Sequence, residues 1–221
     1  IQLTVVTMEH GDTTVKRRIY RSDIRRQRAD QTREKIVSAA TELFLRGGYP
    51  ATTIAAVAAA AGVSVETIYK GFGGKAGLVR AIWERGLAGR GPLHAEDRSD
   101  ALRKQGDAGA LIDGWGRLTS EVAPRVAPIT LLVKSAAGSD AELDALDREM
   151  EADRLGRMTD NARALLRTGG LRAGIGLHEI ADVLWTASSP QLYELLVLRR
   201  GWPLKRYSAF VASTMKAALL P

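Results

Sequence analysis

An all-α fold is predicted for this chain, and three observations predict it. Apolar residues recur at three- and four-residue intervals from about residue 30 to the C-terminus, with no period-two alternation anywhere. Gly and Pro fall between the periodic stretches, at Gly47-Gly48, Gly62, Gly73-Gly74, Gly169-Gly170 and Gly201 to Pro203. Of the 221 residues 45% are apolar, enough for a buried core. About nine or ten helices are expected from the start and stop signals. They divide into a basic flexible arm, 1–29, a helix-turn-helix head, 30–90, and a larger helical domain, 91–221.

The arm carries Lys16, Arg17, Arg18, Arg21, Arg25, Arg26 and Arg28 with few apolar anchors. Asp30 is expected to cap the first helix, whose inner face is Ile36, Ala40, Leu43 and Phe44. Gly47-Gly48 ends it, and Pro50 holds Tyr49 extended. Thr52 reads as the N-cap of a second helix, Thr53 to Ala60, buried through Ile54, Val57, Ala58 and Ala61. The chain turns at Gly62. Ser64 caps a third helix, Val65 to Gly71, with Ile68 inward and Glu66 suited to the positive helix start. Phe72 returns to the core. A fourth helix runs from Lys75 to about Gly89, with Leu78, Val79, Ile82 and Trp83 apolar.

Gly89 to Pro92 opens a linker that runs to about Gly109. Leu111, Ile112, Trp115, Leu118 and Val122 form the next stripe, ended by Pro124; Pro128 to Ala137 is a separate short helix. Ser139 caps a long helix to about Thr168, with Leu143, Leu146, Met150, Leu155, Met158, Ala162 and Leu165 inward. Leu177 to Ala187 is helical. Ser189-Pro190 caps and starts a helix to Arg200, and the last runs from Pro203 to Leu219.

The composition excludes several classes of function. No cysteine is present, so a disulfide framework and a thiolate zinc site are ruled out. No apolar run has the length of a membrane span, and Ile1 to His10 lacks the pattern of a secretory signal; a cytoplasmic protein is expected. Residues Gly71 to Lys75 superficially resemble a phosphate loop, but no strand precedes them and Ala76 stands where Ser or Thr is needed. His10, His94 and His178 lack metal-ligand spacing. The carboxylates Asp144, Asp147, Glu149, Glu151 and Asp153 read as a solvated helix face. No catalytic residue, metal or cofactor is therefore expected.

Charge placement is more telling. Residues 1–90 hold 15 Lys/Arg against 8 Asp/Glu, whereas 91–221 hold 17 of each. The entire excess of +7 lies with the helix-turn-helix pattern, as it would in a module that meets a polyanion. A helix of short outward side chains fits the major groove of duplex DNA, about 12 Å wide. Val65 and Thr67 suit base edges or thymine methyls, and Ser64, Glu66, Tyr69 and Lys70 share that outer surface. Thr52, Thr53 and Lys75 lie at helix N-termini, natural phosphate sites. Arg28 and Arg33 add cations beside them.

The stretch from about Thr32 to Leu78 resembles the DNA-binding domain of TetR-family transcriptional regulators. It carries Phe44 and Gly47-Gly48, Thr52-Thr53, Val57-Ala58, Ala61-Gly62-Val63-Ser64, Tyr69, Phe72, Lys75 and Leu78. Gly71 departs from the pattern, where a His is common, and so do Gly74 and Gly77, which are expected to loosen the start of the fourth helix. The resemblance implies a homodimer that binds a double-stranded DNA operator and answers to a small-molecule effector, with no membrane partner. Its C-terminal domain would pair through the last helices, with Leu184, Leu192, Leu195, Leu196, Phe210 and Met215 as interface candidates. It would also enclose a pocket, for which Trp115, Leu118, Thr119, Leu132, Met150, Met158 and Trp185 are candidates, Met and aromatic side chains suiting an apolar ligand. The alternative reading is a helical small-molecule-binding protein or enzyme whose basic arm is incidental. A membrane-surface module is opposed by the lack of an apolar face opposite Arg17 to Arg28.

Overall fold

A computed structural model describes residues 12–89, 93–104 and 106–221. Residues 1–11, with His10, the linker residues 90–92, and the side chains of Lys16, Arg17, Arg18 and Arg21 lie outside that description. Among the described residues the chain is helical throughout: α1 (Asp12–Ala51), α2 (Ile54–Ala61), α3 (Val65–Phe72), α4 (Lys75–Ala88), α5 (Ala95–Leu102), α6 (Ala108–Ala136), α7 (Ala141–Thr168), α8 (Leu177–Ala187), α9 (Pro190–Tyr193) and α10 (Leu204–Leu219).

Several boundaries differ from expectation, and α5 stands inside the stretch expected to be a linker. The first helix begins at Asp12 rather than near Asp30, so the backbone of arm residues 12–29 is helical and Asp30 is not a cap. Uninterrupted polar sequence with no Gly or Pro offers no stop signal there. Pro124 and Pro128 lie inside one 29-residue helix, α6, instead of dividing two. Each removes one i→i−4 hydrogen bond, leaving the Ser120 and Pro124 carbonyls without it; packing of α6 against α1, α4, α7 and α10 holds the helix together. Asp140, not Ser139, caps α7: its carboxylate accepts from the Glu142 and Leu143 amides at 3.0 and 3.1 Å. Beyond α9 the chain continues as a π-helix, Glu194–Arg199.

Two hydrophobic cores organise these helices. The first joins Ile36, Ala40 and Phe44 of α1, Val57, Ile68, Leu78 and Ile82 of α2–α4, and also Ile129 and Val133 of α6 and Leu143 and Met150 of α7. It therefore extends past the expected boundary at residue 90. The second is built on Leu111, Ile112 and Trp115 of α6, Leu165 of α7, Ile180 and Leu184 of α8, and Tyr207 and Val211 of α10. Leu155, expected inward on α7, is 43% exposed.

Arg85 ties α4 to α1. Its guanidinium reaches Glu34 at 2.8 Å, Ser38 at 2.8 Å and Thr41 at 2.7 Å. Arg85→Met keeps the apolar stem and loses all three bonds. Because the site is partly solvated, the expected cost is about 1–2 kcal/mol, read as a lower urea midpoint with unchanged slope. A midpoint matching the parent would show that water replaces these contacts without loss.

Candidate nucleic-acid interface and ligand cavity

The helix-turn-helix is assembled by local signals. Thr53 caps α2, its hydroxyl accepting from the Ala56 amide at 3.1 Å. Gly62 ends α2 in the left-handed region, φ 69°, which a side chain would strain. The Ser64 hydroxyl accepts from the Thr67 amide at 3.1 Å and shares a hydrogen bond with the Thr67 hydroxyl at 2.9 Å. Ile68, fully buried, fixes which face of α3 points inward. Val65 and Tyr69 then stand 40% and 53% exposed. Glu66 and Lys70, also exposed, are joined by an ion pair of 2.7 Å on the same surface.

Three expected DNA contacts take other positions. Thr52 is buried, its hydroxyl donating to the Leu43 and Gly48 carbonyls at 3.1 and 2.8 Å; it locks α1 to α2 and does not reach the surface. Two consecutive threonines cannot both cap one helix, and the one at the cap position, Thr53, stays outside. Arg33 lies over the Phe72 ring, 4.6 Å from its centroid, and donates to the Gly71 carbonyl at 3.4 Å. It clamps the C-terminal, electronegative end of α3. The Lys75 ammonium sits 4.0 Å from the Tyr49 ring centroid and donates to the Pro50 carbonyl at 3.5 Å, turned into the protein instead of toward a phosphate. Arg28 is exposed.

Lys75 belongs to a joint between the head and α7. Burial lowers its pKa, opposed by the Asp140 carboxylate. Burial, then Asp140, raises the pKa of Tyr49. The residue that caps α7 thus also faces the end of α1 and the start of α4.

A cavity of 190 Å³ lies among α4–α10. Its wall is largely apolar and includes five of the expected pocket residues: Trp115, Leu118, Thr119, Met150 and Met158. Two others do not line it. Leu132 packs against the first core. Trp185 has its ring under the Arg154 guanidinium, 4.5 Å away. Of the interface candidates, Leu184 and Met215 are 1% exposed and line the cavity, so neither can meet a partner surface. Leu192 and Leu196 pack in part against the second core, whereas Leu195 and Phe210 are 51% and 37% exposed.

The polar wall was not anticipated. On α7, Glu151 is paired with Arg154 at 2.9 Å and with Lys134 at 3.4 Å. Arg157 holds Glu96 and Asp100 of α5 at 3.2 and 2.9 Å. The Asn161 carbonyl accepts from Ser99 and Arg103 at 3.2 and 2.7 Å. The signal lay in the spacing: Arg154, Arg157 and Asn161 interleave at helical intervals with Met150 and Met158. The expected solvated carboxylate face is likewise engaged, with Asp147 on Lys134 at 3.7 Å, Glu149 on Arg80 and Asp144 on Arg148. Among the described residues no cluster of His, Asp and Glu is suited to a metal, and no helix is long and apolar enough to cross a membrane.

Comparison with known proteins converges on the same segment. Residues 36–82 match the family model described as bacterial regulatory proteins, tetR family. A curated relative, the uncharacterized HTH-type transcriptional regulator YvkB of Bacillus subtilis (strain 168), is 36% identical over 72 residues, which are 33% of this chain and 38% of the relative. The chain thus matches well under half of that relative's length. The fold extends further. A SmeT–triclosan complex, SmeT being described as a repressor from Stenotrophomonas maltophilia, superposes with a TM-score of 0.69 at 21% identity, covering 86% of this chain and 92% of that one. The fatty acid degradation regulator FadR from Bacillus halodurans gives 0.68 at 16% identity, covering 83% and 94%. With its capped, outward α3 inside the matched segment, the chain carries at residues 36–82 a segment of the tetR family of bacterial regulatory proteins, and it shares an all-helical fold with the solved structures along most of its length.

Proposed function

We propose that this regulator is a cytoplasmic repressor that binds a pseudo-palindromic operator as a homodimer and is released by a small, mainly apolar effector. The observation that carries the reading is α3: held by the fully buried Ile68 and capped by Ser64, it presents Val65, Glu66, Tyr69 and Lys70 to the outside. Such a surface fits the major groove, with phosphate contacts setting position and the few base-edge contacts setting sequence. The exposed apolar residues Leu195, Leu198, Leu204 and Phe210 near the C-terminus support pairing of two copies there. Half-sites would then lie about 34–36 Å apart.

The cavity supports the effector half of the reading, as does the likeness in fold to a protein solved with triclosan. An occupant pressing on α7 would bear on Asp140, and through it on Tyr49 and Lys75 of the head. The coupling expected between effector and operator is about 1–3 kcal/mol, acting equally in both directions.

Selection of binding sequences from random duplexes, repeated with variants, tests the DNA reading. Val65→Ala should relax preference at one base pair of each half-site, a change of about 1 kcal/mol. Lys70→Gln should weaken all duplexes alike and reduce the salt slope by about one. Selection that enriches no sequence with the parent protein would sink the proposal.

A further inference from the structure

The outer face of α3 carries one negative charge, and its position limits what it can meet. Between Thr52 and Gly74, Glu66 is the only acidic residue. Ile68 is fully buried and fixes the inward direction of the helix. At about 100° per residue, Glu66 and Lys70 each stand about 160° around α3 from Ile68, nearly opposite it. Val65 and Tyr69 stand about 60° and 100° from Ile68 and lie lower on the flanks. Whatever approaches α3 from outside therefore meets Glu66 and Lys70 first.

The Glu66 carboxylate is not needed by the fold around it. The Ser64 cap accepts from the Thr67 amide, so Glu66 takes no part in that bond. Its partner is the Lys70 ammonium at 2.7 Å, and the Glu66 side chain is 73% exposed. An exposed pair one turn apart adds little to a fold and opens readily. Lys70, with the longer side chain, is left to a phosphate, and the carboxylate stays in the groove. A carboxylate brought among phosphates weakens binding to any duplex unless it finds a donor.

The major groove offers two such donors on base edges, the cytosine amine and the adenine amine. The adenine amine lies between two acceptors, its own N7 and the thymine O4. The cytosine amine has an acceptor, guanine O6, on one side only. A carboxylate accepts through both oxygens and donates nothing, so adenine opposes it on two flanks and cytosine on one. The start of the second helix of a helix-turn-helix is also the part that reaches base edges, and Glu66 lies in the first turn of α3. We infer that Glu66 sets a cytosine in each operator half-site, its carboxylate accepting from the cytosine amine. This rests on the reading of α3 as the helix that enters the major groove.

Selection from random duplexes by the full chain and by its Glu66→Gln and Glu66→Ala variants tests it. The parent's motif should hold one C·G pair per half-site that depends on Glu66. With Glu66→Gln that pair should turn to A·T, because a carboxamide meets both adenine N6 and N7. With Glu66→Ala it should lose its preference while the rest of the motif stays. In anisotropy titrations the parent should prefer its motif about tenfold over the same duplex with that pair changed to T·A, and Glu66→Ala should bind the two within about twofold. Both variants should bind a scrambled duplex more tightly than the parent, having lost a negative charge. Motifs identical at every position for the three proteins overturn the inference, as does a Glu66-dependent pair other than C·G. Equal strengthening of motif and scrambled duplex by both variants also overturns it, since Glu66 would then be only a repelling charge beside Lys70. So does loss of the whole motif with lowered melting, which would make Glu66 structural. The operator reading fails separately: a parent that enriches no sequence removes it and this inference together, whereas a parent motif indifferent to Glu66 removes this inference alone.

Discussion

Gly77→Ala should disable the head, lowering operator affinity by about a hundredfold or more together with a drop in its melting temperature. A Cβ at Gly77 would fall within the van der Waals radius of the Phe72 carbonyl oxygen and 2.9 Å from the carbonyl carbon. Overpacking against side chains costs about 1–3 kcal/mol; here the obstacle is backbone, and relief requires opening the α3–α4 turn. That turn sets the angle of α3, so stability and DNA binding should fall together. Gly71→Ala is the matched control. Its added Cβ meets nothing within 4 Å, and Ala favours helix over Gly by about 1 kcal/mol, so melting should hold or rise. Parent-like melting of Gly77→Ala would mean the two helices separate at little cost, and α3 would not be rigidly held.

The second large effect is expected from Ala123→Phe. Ala123 lines the cavity on α6 and is only partly buried, so a ring there can fill the space with limited strain on the surrounding helices. The variant should bind operator within about twofold of the parent, since Ala123 itself packs against the second core and not the core of the head. It should lose the response to any cavity ligand. A filled-cavity variant that still releases DNA on ligand addition would place the effector elsewhere, whereas one that no longer binds DNA at all would show that the cavity's shape sets the head's position even when empty of ligand.

These two residues also mark how far the sequence could be read. Gly77 looked like a weak start for α4 because sequence offers no view of the Phe72 carbonyl packed against it. Ala123 carried no signal at all. The α3 helix was legible nearly residue by residue, because Ser64, Ile68 and Gly62 act over three or four positions. Thr52 and Thr53 show the limit of that reach: the pattern marked the pair, and only the position of the Leu43 and Gly48 carbonyls decided which hydroxyl was buried. Leu184 and Met215 had the composition of an interface and lie instead in the cavity wall. Arg154 and Asn161 drew no expectation, and the fold places both in the cavity wall.

By itself, then, the order of amino acids determined where the helices of the head turn into one another, the exposed face of α3, the concentration of positive charge in the first ninety residues, and the family likeness of residues 36–82. Each depends on spacing and capping within a turn or two of the chain, or on a sum over residues. Only the folded arrangement decided that α6 runs unbroken through two prolines, that Asp140 joins α7 to the head, that Lys75 turns inward, and which apolar side chains enclose a cavity. Those outcomes depend on which helix faces meet across long separations in sequence, where the burial of one side chain is set by partners a hundred residues away.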